Sequence, residues 1–286
     1  MSGAPPRIGT NNEATFDPEA VRAFEHGGWQ QAASEYDATF ARATTPFVGA
    51  LLVVTGVANG MRVLDLCCGT GVATAAAAAK GTDPTGLDFS AAMLARAKAA
   101  NPMIRFDEGD AEALPYSSES FDAGISNFGI HHIPRPGRAL AEIYRVLRPG
   151  GGVAFTTWAV PAENVAWRLL FDAIRAHGDP DAAKAPPPGG NLGTCEAGLQ
   201  LLRRAGFRNL RAEMTRREWL LPDAAALVEA LRRGTVRTAA LIAAQPAEAL
   251  PAITVAIDRG MAGYRSGDGF SVPIVAILAS GTKLPK

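Results

Sequence analysis

The run Val63-Leu64-Asp65-Leu66-Cys67-Cys68-Gly69-Thr70-Gly71 leads straight into an alanine-rich segment, so an apolar strand enters an acidic, glycine-bearing turn and leaves it as a helix. Glycine at 69 and 71 lets the backbone turn tightly and approach a ligand with no Cβ in the way. The amides that open the following helix face the same space. Such a turn suits a nucleotide-type cofactor. Asp65 argues against a pyrophosphate there, because a carboxylate beside the turn repels phosphate and attracts a cationic amine. Two ligands compete at this point: a dinucleotide, and the sulfonium S-adenosylmethionine, whose methionine end carries an ammonium group.

A second motif follows. Strand-like Thr85-Gly86-Leu87 delivers Asp88, Phe89 and Ser90 ahead of a helix-like run over 91–98, and Asp88 lies 23 residues after Asp65. An acidic side chain at the end of the second strand can accept both hydroxyls of a ribose, and either ligand would use it. Phe106-Asp107-Glu108-Gly109-Asp110-Ala111 through Pro115 then precedes Phe121-Asp122-Ala123-Gly124-Ile125-Ser126-Asn127, and Arg148-Pro149-Gly150-Gly151-Gly152 opens a fifth apolar run.

Together these ordered motifs resemble the class I S-adenosylmethionine-dependent methyltransferases, in the branch of small-molecule and quinone-ring methylases, over roughly residues 60–158. The resemblance implies that Asp65 serves the donor's ammonium group, Gly69 and Gly71 its methionine backbone, and Asp88 the ribose diol. It also implies that Asp110 accepts from the adenine amine while the Ala111 amide faces the ring. Cys67, Thr70, Phe89 and Asn127 complete the expected cofactor-binding set in the core, with Trp29 and Tyr36 expected to close over it and to gain cation–π attraction to a sulfonium. Cys67 departs from the pattern, since many relatives carry glycine there, and a side chain at that place narrows the turn.

Methyl transfer from a sulfonium is an in-line displacement, so alignment supplies much of the acceleration, with effective molarities of about 10⁵–10⁸ M available. Side chains must still weaken or remove a proton on the acceptor. Just after the fourth strand stand Asn127-Phe128-Gly129-Ile130-His131-His132-Ile133-Pro134, which hold two of the four histidines. Imidazole is suited to take a proton from a phenol, an alcohol or an activated ring carbon. His131 and His132 are therefore the candidate catalytic residues, with backbone capping as the competing role.

Three other functions are weighed against this. A dehydrogenase expects Gly-x-Gly-x-x-Gly/Ala, whereas Gly69-Thr70-Gly71-Val72-Ala73-Thr74 ends in Thr and leaves Asp110 and the 149–152 turn unexplained. An exocyclic-amine methylase of nucleic acid expects an Asn/Asp-Pro-Pro-aromatic motif where this chain has Ser126-Asn127-Phe128-Gly129. A non-catalytic cofactor-binding regulator would keep every motif. The 28 basic and 28 acidic residues sum to no formal net charge, so no global field draws the chain to nucleic acid or an anionic surface.

The expected partner is a hydrophobic or aromatic small-molecule acceptor, with no nucleic acid and no membrane span, and homodimerisation is left open. Apolar runs such as 75–79 fall far short of a span and no signal core stands at the start, which points to the cytoplasm. No metal is expected, because Cys67 and Cys68 diverge on a strand and lack a His/Cys set at ligand spacing. The 286 residues read as a flexible leader over 1–15, a helical lid over 16–58 and a methyltransferase core over 59–222. A helical cap over 223–264 and a final core strand with tail over 265–286 complete the chain. Alternating strand and helix patterns over the core predict an α/β fold with a doubly wound, mostly parallel seven-stranded sheet of Rossmann-like kind.

Overall fold

A computed structural model describes residues 16–285, so the expected leader lies outside the described residues. The first helices are α1 (Pro18–Tyr36), α2 (Ala41–Thr44) and α3 (Val48–Thr55). Asp17 caps α1, accepting from the amides of Glu19 and Ala20, and Pro18 at the first helical position has no amide to leave unpaired. Gly56 ends α3 in the left-handed conformation.

Strand and helix then alternate: β1 (Arg62–Leu66), α4 (Val72–Ala78), β2 (Asp83–Asp88), α5 (Ala91–Ala100), β3 (Arg105–Glu108), β4 (Phe121–Asn127), α6 (Pro136–Val146) and β5 (Leu147–Trp158). After them come α7 (Val165–His177), α8 (Cys195–Arg204), β6 (Arg208–Leu221), α9 (Ala224–Gly234), α10 (Arg237–Ala243), α11 (Leu250–Met261), β7 (Arg265–Ser266) and β8 (Gly269–Thr282). Neighbouring strands run β3-β2-β1-β4-β5-β8-β6, with β7 added beside β8. The pairs among β1 to β5 are parallel, and those of β8 with β5, β6 and β7 are antiparallel.

Among the described residues the sheet therefore has eight strands where seven are expected. The extra one is the two-residue β7, which turns back onto β8 through Gly267, a residue held at φ +57°. A strand that short carries no hydrophobic alternation, and so leaves no signal in the sequence.

Strand order reverses between β1 and β4, which places a crevice beyond the carboxyl ends of the parallel strands. One face of the sheet packs on α3 and α4 through Val48, Leu51, Leu52, Ala73 and Ala77, and the other on α6 and α8. Buried Ala139, Leu140, Ile143 and Val146 give α6 its apolar stripe at helical spacing. The long antiparallel pair of β6 and β8 outruns the sheet, and its outer half, with Trp219, Val272 and Ile274, packs on α7, α9 and α11. Helices α7, α9 and α11 thus share one apolar layer on that extension.

Asn164, at the start of α7, ties that helix to β8. Its side chain is buried, donates to the carbonyls of Ala159 and Val275, and accepts from the Val275 amide. Replacing it with alanine strands these buried backbone groups, so Asn164→Ala should lower unfolding stability by about 2–4 kcal/mol in urea titrations. A loss under about 0.5 kcal/mol would contradict this role.

Candidate active site

At the carboxyl end of β1 the backbone turns through two left-handed positions, Gly69 at φ 54° and Gly71 at φ 84°. A Cβ on Gly71 would also sit 2.9 Å from the Phe106 ring. Glycine is required there for conformation and for space. Cys67 is left-handed as well, at φ 55°, which gives a physical reason for the glycine common at this place. Its side chain faces Gly129, where an added Cβ would lie 2.4 Å from the Cβ of Cys67. Phe128, next to Gly129, is held at φ 58°. Two strained non-glycine residues thus meet at one cleft.

Of the residues singled out from sequence, Trp29, Tyr36, Cys67, Gly69, Asp88, Phe89, Asp110, Ala111, Asn127 and His132 line this cleft together. Arg22, Leu87, Met93, Gly109, Phe128, Gly129, Ile133 and Pro134 complete its wall. Asp65, Thr70, Gly71 and His131 stand behind that wall. Cys68 points the other way, into a small cluster with Leu94, Ala97 and Phe106.

Asp88 is 5% exposed and both its oxygens accept backbone amides, Oδ2 from Gly69 at 2.8 Å and Oδ1 from Ser90 at 2.9 Å. Burial pushes its carboxyl up, against the pull of those amides. Asp65 is 1% exposed; Oδ2 accepts from the Thr74 hydroxyl at 2.6 Å, while Oδ1 is buried without a partner among the described residues. Burial, opposed by Thr74 and reinforced by the charge of Asp88, pushes the Asp65 carboxyl up to about 7. An orphaned buried oxygen of this kind fits a cationic donor, and a bound ammonium group would supply one.

Asp110 is already engaged: Oδ1 accepts from the Glu112 amide at 2.8 Å and Oδ2 pairs with Arg22 at 2.9 Å. Thr70 donates to Asp37 at 2.6 Å, beyond the end of α1. Asn127 is pinned at both ends, donating to the Thr44 carbonyl and accepting from Thr156. Leu87, Phe89, Met93, Ala111 and Ile133 give one end of the cleft apolar walls suited to a flat ring.

At the other end stand Trp29, Tyr36, Phe128 and His132. Trp29 meets His132 edge-on at 4.9 Å and Tyr36 at 5.9 Å. Burial pushes the Tyr36 phenol up to about 12, so it stays protonated, and it shares a hydrogen bond with Thr44. Phe128 stacks on Trp158 at 4.0 Å. Trp158 and Trp167 pack on Phe40 behind the wall and do not reach the cleft.

The two histidines part company. His132 lines the cleft, and its Nδ1 lies 2.9 Å from Oε2 of Glu25. His131 turns away with Nδ1 buried and without a partner among the described residues, and burial holds its imidazole well below the ordinary range, so it stays neutral. Sequence reasoning missed Arg22 and Glu25 on α1. Val21, Trp29, Ala33 and Tyr36 mark an apolar stripe on that helix, and Glu25 falls in register with it, four residues from Val21 and from Trp29.

Residues 63–151 match the methyltransferase domain family model. Demethylmenaquinone methyltransferase from Renibacterium salmoninarum is 42% identical over 106 residues, 37% of this chain and 45% of the relative. Malonyl-[acyl-carrier protein] O-methyltransferase from Pectobacterium atrosepticum is 39% identical over 130 residues, 44% of this chain and 51% of the relative. The chain thus spans about half the length of the curated relatives it matches. Phosphoethanolamine N-methyltransferase 2 from Haemonchus contortus, solved with phosphomonomethylethanolamine and S-adenosylhomocysteine, shares the fold with a TM-score of 0.52 at 20% identity, over 84% of this chain and 53% of that one. The fold is that of the class I methyltransferases. The matched stretch holds every singled-out residue except Trp29 and Tyr36.

The raised Asp65 carboxyl has a consequence for stability. Its folded value near 7 exceeds the ordinary 3.8, so its contribution is full below the lower value and is lost as pH rises through the higher one. Between pH 5 and pH 8 the wild type should therefore lose about 2–3 kcal/mol relative to Asp65→Asn. Urea titrations of both proteins at both pH values measure this, and an equal difference at the two would refute it.

Proposed function

We propose that the protein is an S-adenosylmethionine-dependent methyltransferase that moves the methyl group to an oxygen or carbon nucleophile of a hydrophobic, aromatic small molecule. The observation that carries this reading is the pair of buried carboxylates at the ends of β1 and β2. Asp65 offers an unpartnered oxygen for an ammonium group, and Asp88, already oriented by two amides, keeps lone pairs for a ribose diol. When bound, the cofactor supplies an electrophilic methyl and leaves as a neutral thioether.

The chain's own residues do the rest. Gly69 and Cys67 shape the turn against the methionine end, while Leu87, Phe89, Met93 and Ala111 form the slot for an adenine. Asp110, with Arg22 on one oxygen, is the acceptor at that slot's rim. Trp29, Tyr36 and Phe128 present aromatic surface on the side facing the acceptor, where they exclude water and favour a ring. His132 is the side chain there that can hold the acceptor's proton, and this supports oxygen or acidic carbon over nitrogen as the nucleophile. The name of the matched demethylmenaquinone methyltransferase agrees in kind with such an acceptor, while that of the malonyl-[acyl-carrier protein] O-methyltransferase agrees only in the oxygen nucleophile.

Calorimetry with S-adenosylmethionine tests the donor half. The wild type should bind, Asp88→Ala should weaken binding by about 10–100-fold, the scale for hydrogen bonds to a charged group, and affinity should rise from pH 6 to pH 8 as Asp65 ionises. Asp65→Asn should abolish that rise. No heat from the wild type at millimolar donor would end the proposal.

Mass-shift assays against phenols, naphthalenediols and amines test the acceptor half. Turnover confined to amines would overturn the assignment of nucleophile. With a phenolic acceptor, His132→Ala should cut turnover by about 10²-fold and leave donor affinity within a few-fold of wild type; unchanged turnover would remove the base.

A further inference from the structure

Glu25 is a carboxylate with 0% exposure on the inner face of α1, and neither the donor nor the acceptor side of the proposed reaction uses it. Oε2 lies 2.9 Å from Nδ1 of His132, and Oε1 forms an ion pair with the Arg237 guanidinium at 2.7 Å. Burial alone would push this carboxyl up, yet His132 and Arg237 outweigh it and hold it below the usual range. Glu25 is therefore ionised and acceptor-only, so the proton on Nδ1 of a neutral His132 must point at it. Nε2 is then left with its lone pair. Among the described residues no hydrogen bond engages Nε2, and the ring borders the cleft.

We propose that Glu25 is a positioning residue that fixes His132 in its Nδ1–H tautomer and turns Nε2 toward the acceptor as the proton-accepting atom. This rests on the methyl-transfer reading above. It adds a residue outside the matched domain, contributed by the helix over the cleft. The logic is that of any base oriented by a buried carboxylate: the carboxylate sets the tautomer and stabilises the imidazolium formed when the acceptor's proton arrives, and takes no proton itself. As the acceptor oxygen or carbon bonds to the methyl carbon and the carbon–sulfur bond breaks, the acceptor's proton passes to Nε2. The positive charge that the sulfonium loses then resides on His132, beside Glu25.

The arrangement also joins three elements. Glu25 belongs to α1, His132 follows β4 and Arg237 begins α10. Helix α1 is held down at further points: Arg22 pairs with Asp110 and Glu112, and Gln30 accepts from the Ser90 hydroxyl and the Ala92 amide at the start of α5. The orientation of the base therefore holds only while α1 is docked.

Long-range ¹H–¹⁵N spectra of ring-labelled histidine test the proposal without any acceptor, with the His132 signals assigned by their loss in His132→Ala. In the wild type at pH 8, His132 should show a protonated Nδ1 and a bare Nε2, and Glu25→Gln should shift the ring toward the Nε2–H form. Arg237→Gln, which cuts the other side of the same carboxylate, should leave the Nδ1–H form in place. A merely structural Glu25 would make the two variants behave alike. With a phenolic acceptor, Glu25→Gln should lower kcat at least about 10-fold while the donor KM stays within about 2-fold.

A wild-type ring already in the Nε2–H form overturns the proposal even if Glu25→Gln fails to fold, and so does an unchanged tautomer in a folded Glu25→Gln. Absence of S-adenosylmethionine binding by the wild type instead overturns the methyl-transfer reading, and the catalytic role with it, while the tautomer result still decides whether Glu25 sets the ring.

Discussion

The grip of Asp88 on two backbone amides organises the site. One amide belongs to Gly69, in the turn after β1, and the other to Ser90, ahead of α5, so a single buried carboxylate locks two successive strand ends at a fixed spacing. A carboxylate this buried is tolerable only because those donors offset its lost hydration. Asp65 sits on the neighbouring strand with one oxygen satisfied by Thr74 and the other unmatched. The protein thereby keeps a polar debt at the place where a cationic ligand would settle it, and the raised carboxyl of Asp65 is the electrostatic form of that debt.

Opposite this anchored floor lies α1, which combines an apolar stripe with a set of charged and polar attachments. Arg22, Glu25 and Gln30 face the core from α1, and Asp37, just past its end, binds Thr70 and Arg96. These contacts set one register of α1 against the core. The buried Glu25 supplies the specificity of that register, because leaving it without His132 and Arg237 would strand a charge.

Much of the donor-facing half was legible in the sequence, because it resides in short local patterns. Glycines 69 and 71, the acidic residues 65, 88 and 110, and the alternation of apolar runs each follow from a turn or a strand end whose requirements involve only neighbours in the chain. Helix α1 was legible through Val21, Trp29, Ala33 and Tyr36, and the expectation that it lies over the cleft came from family resemblance. What was not legible concerns partners more than 20 residues apart: which of His131 and His132 meets the cleft, that Arg22 reaches Asp110, and that Trp158 and Trp167 stand behind Phe128. Adjacent histidines in a 3₁₀ turn point in different directions, and no pattern of residue types tells which way each turns.

The sequence by itself determined the fold class, the order of the motifs and the chemistry each can perform, since hydrophobic period and turn geometry depend on local backbone preference. Only the tertiary structure decided that Asp65 keeps an empty oxygen, that Cys67 and Phe128 meet in left-handed strain, and that a glutamate from the first helix holds a histidine met 107 residues later. Those facts depend on which surfaces are packed together and dried, and desolvation is a property of the assembled core that no stretch of chain carries alone.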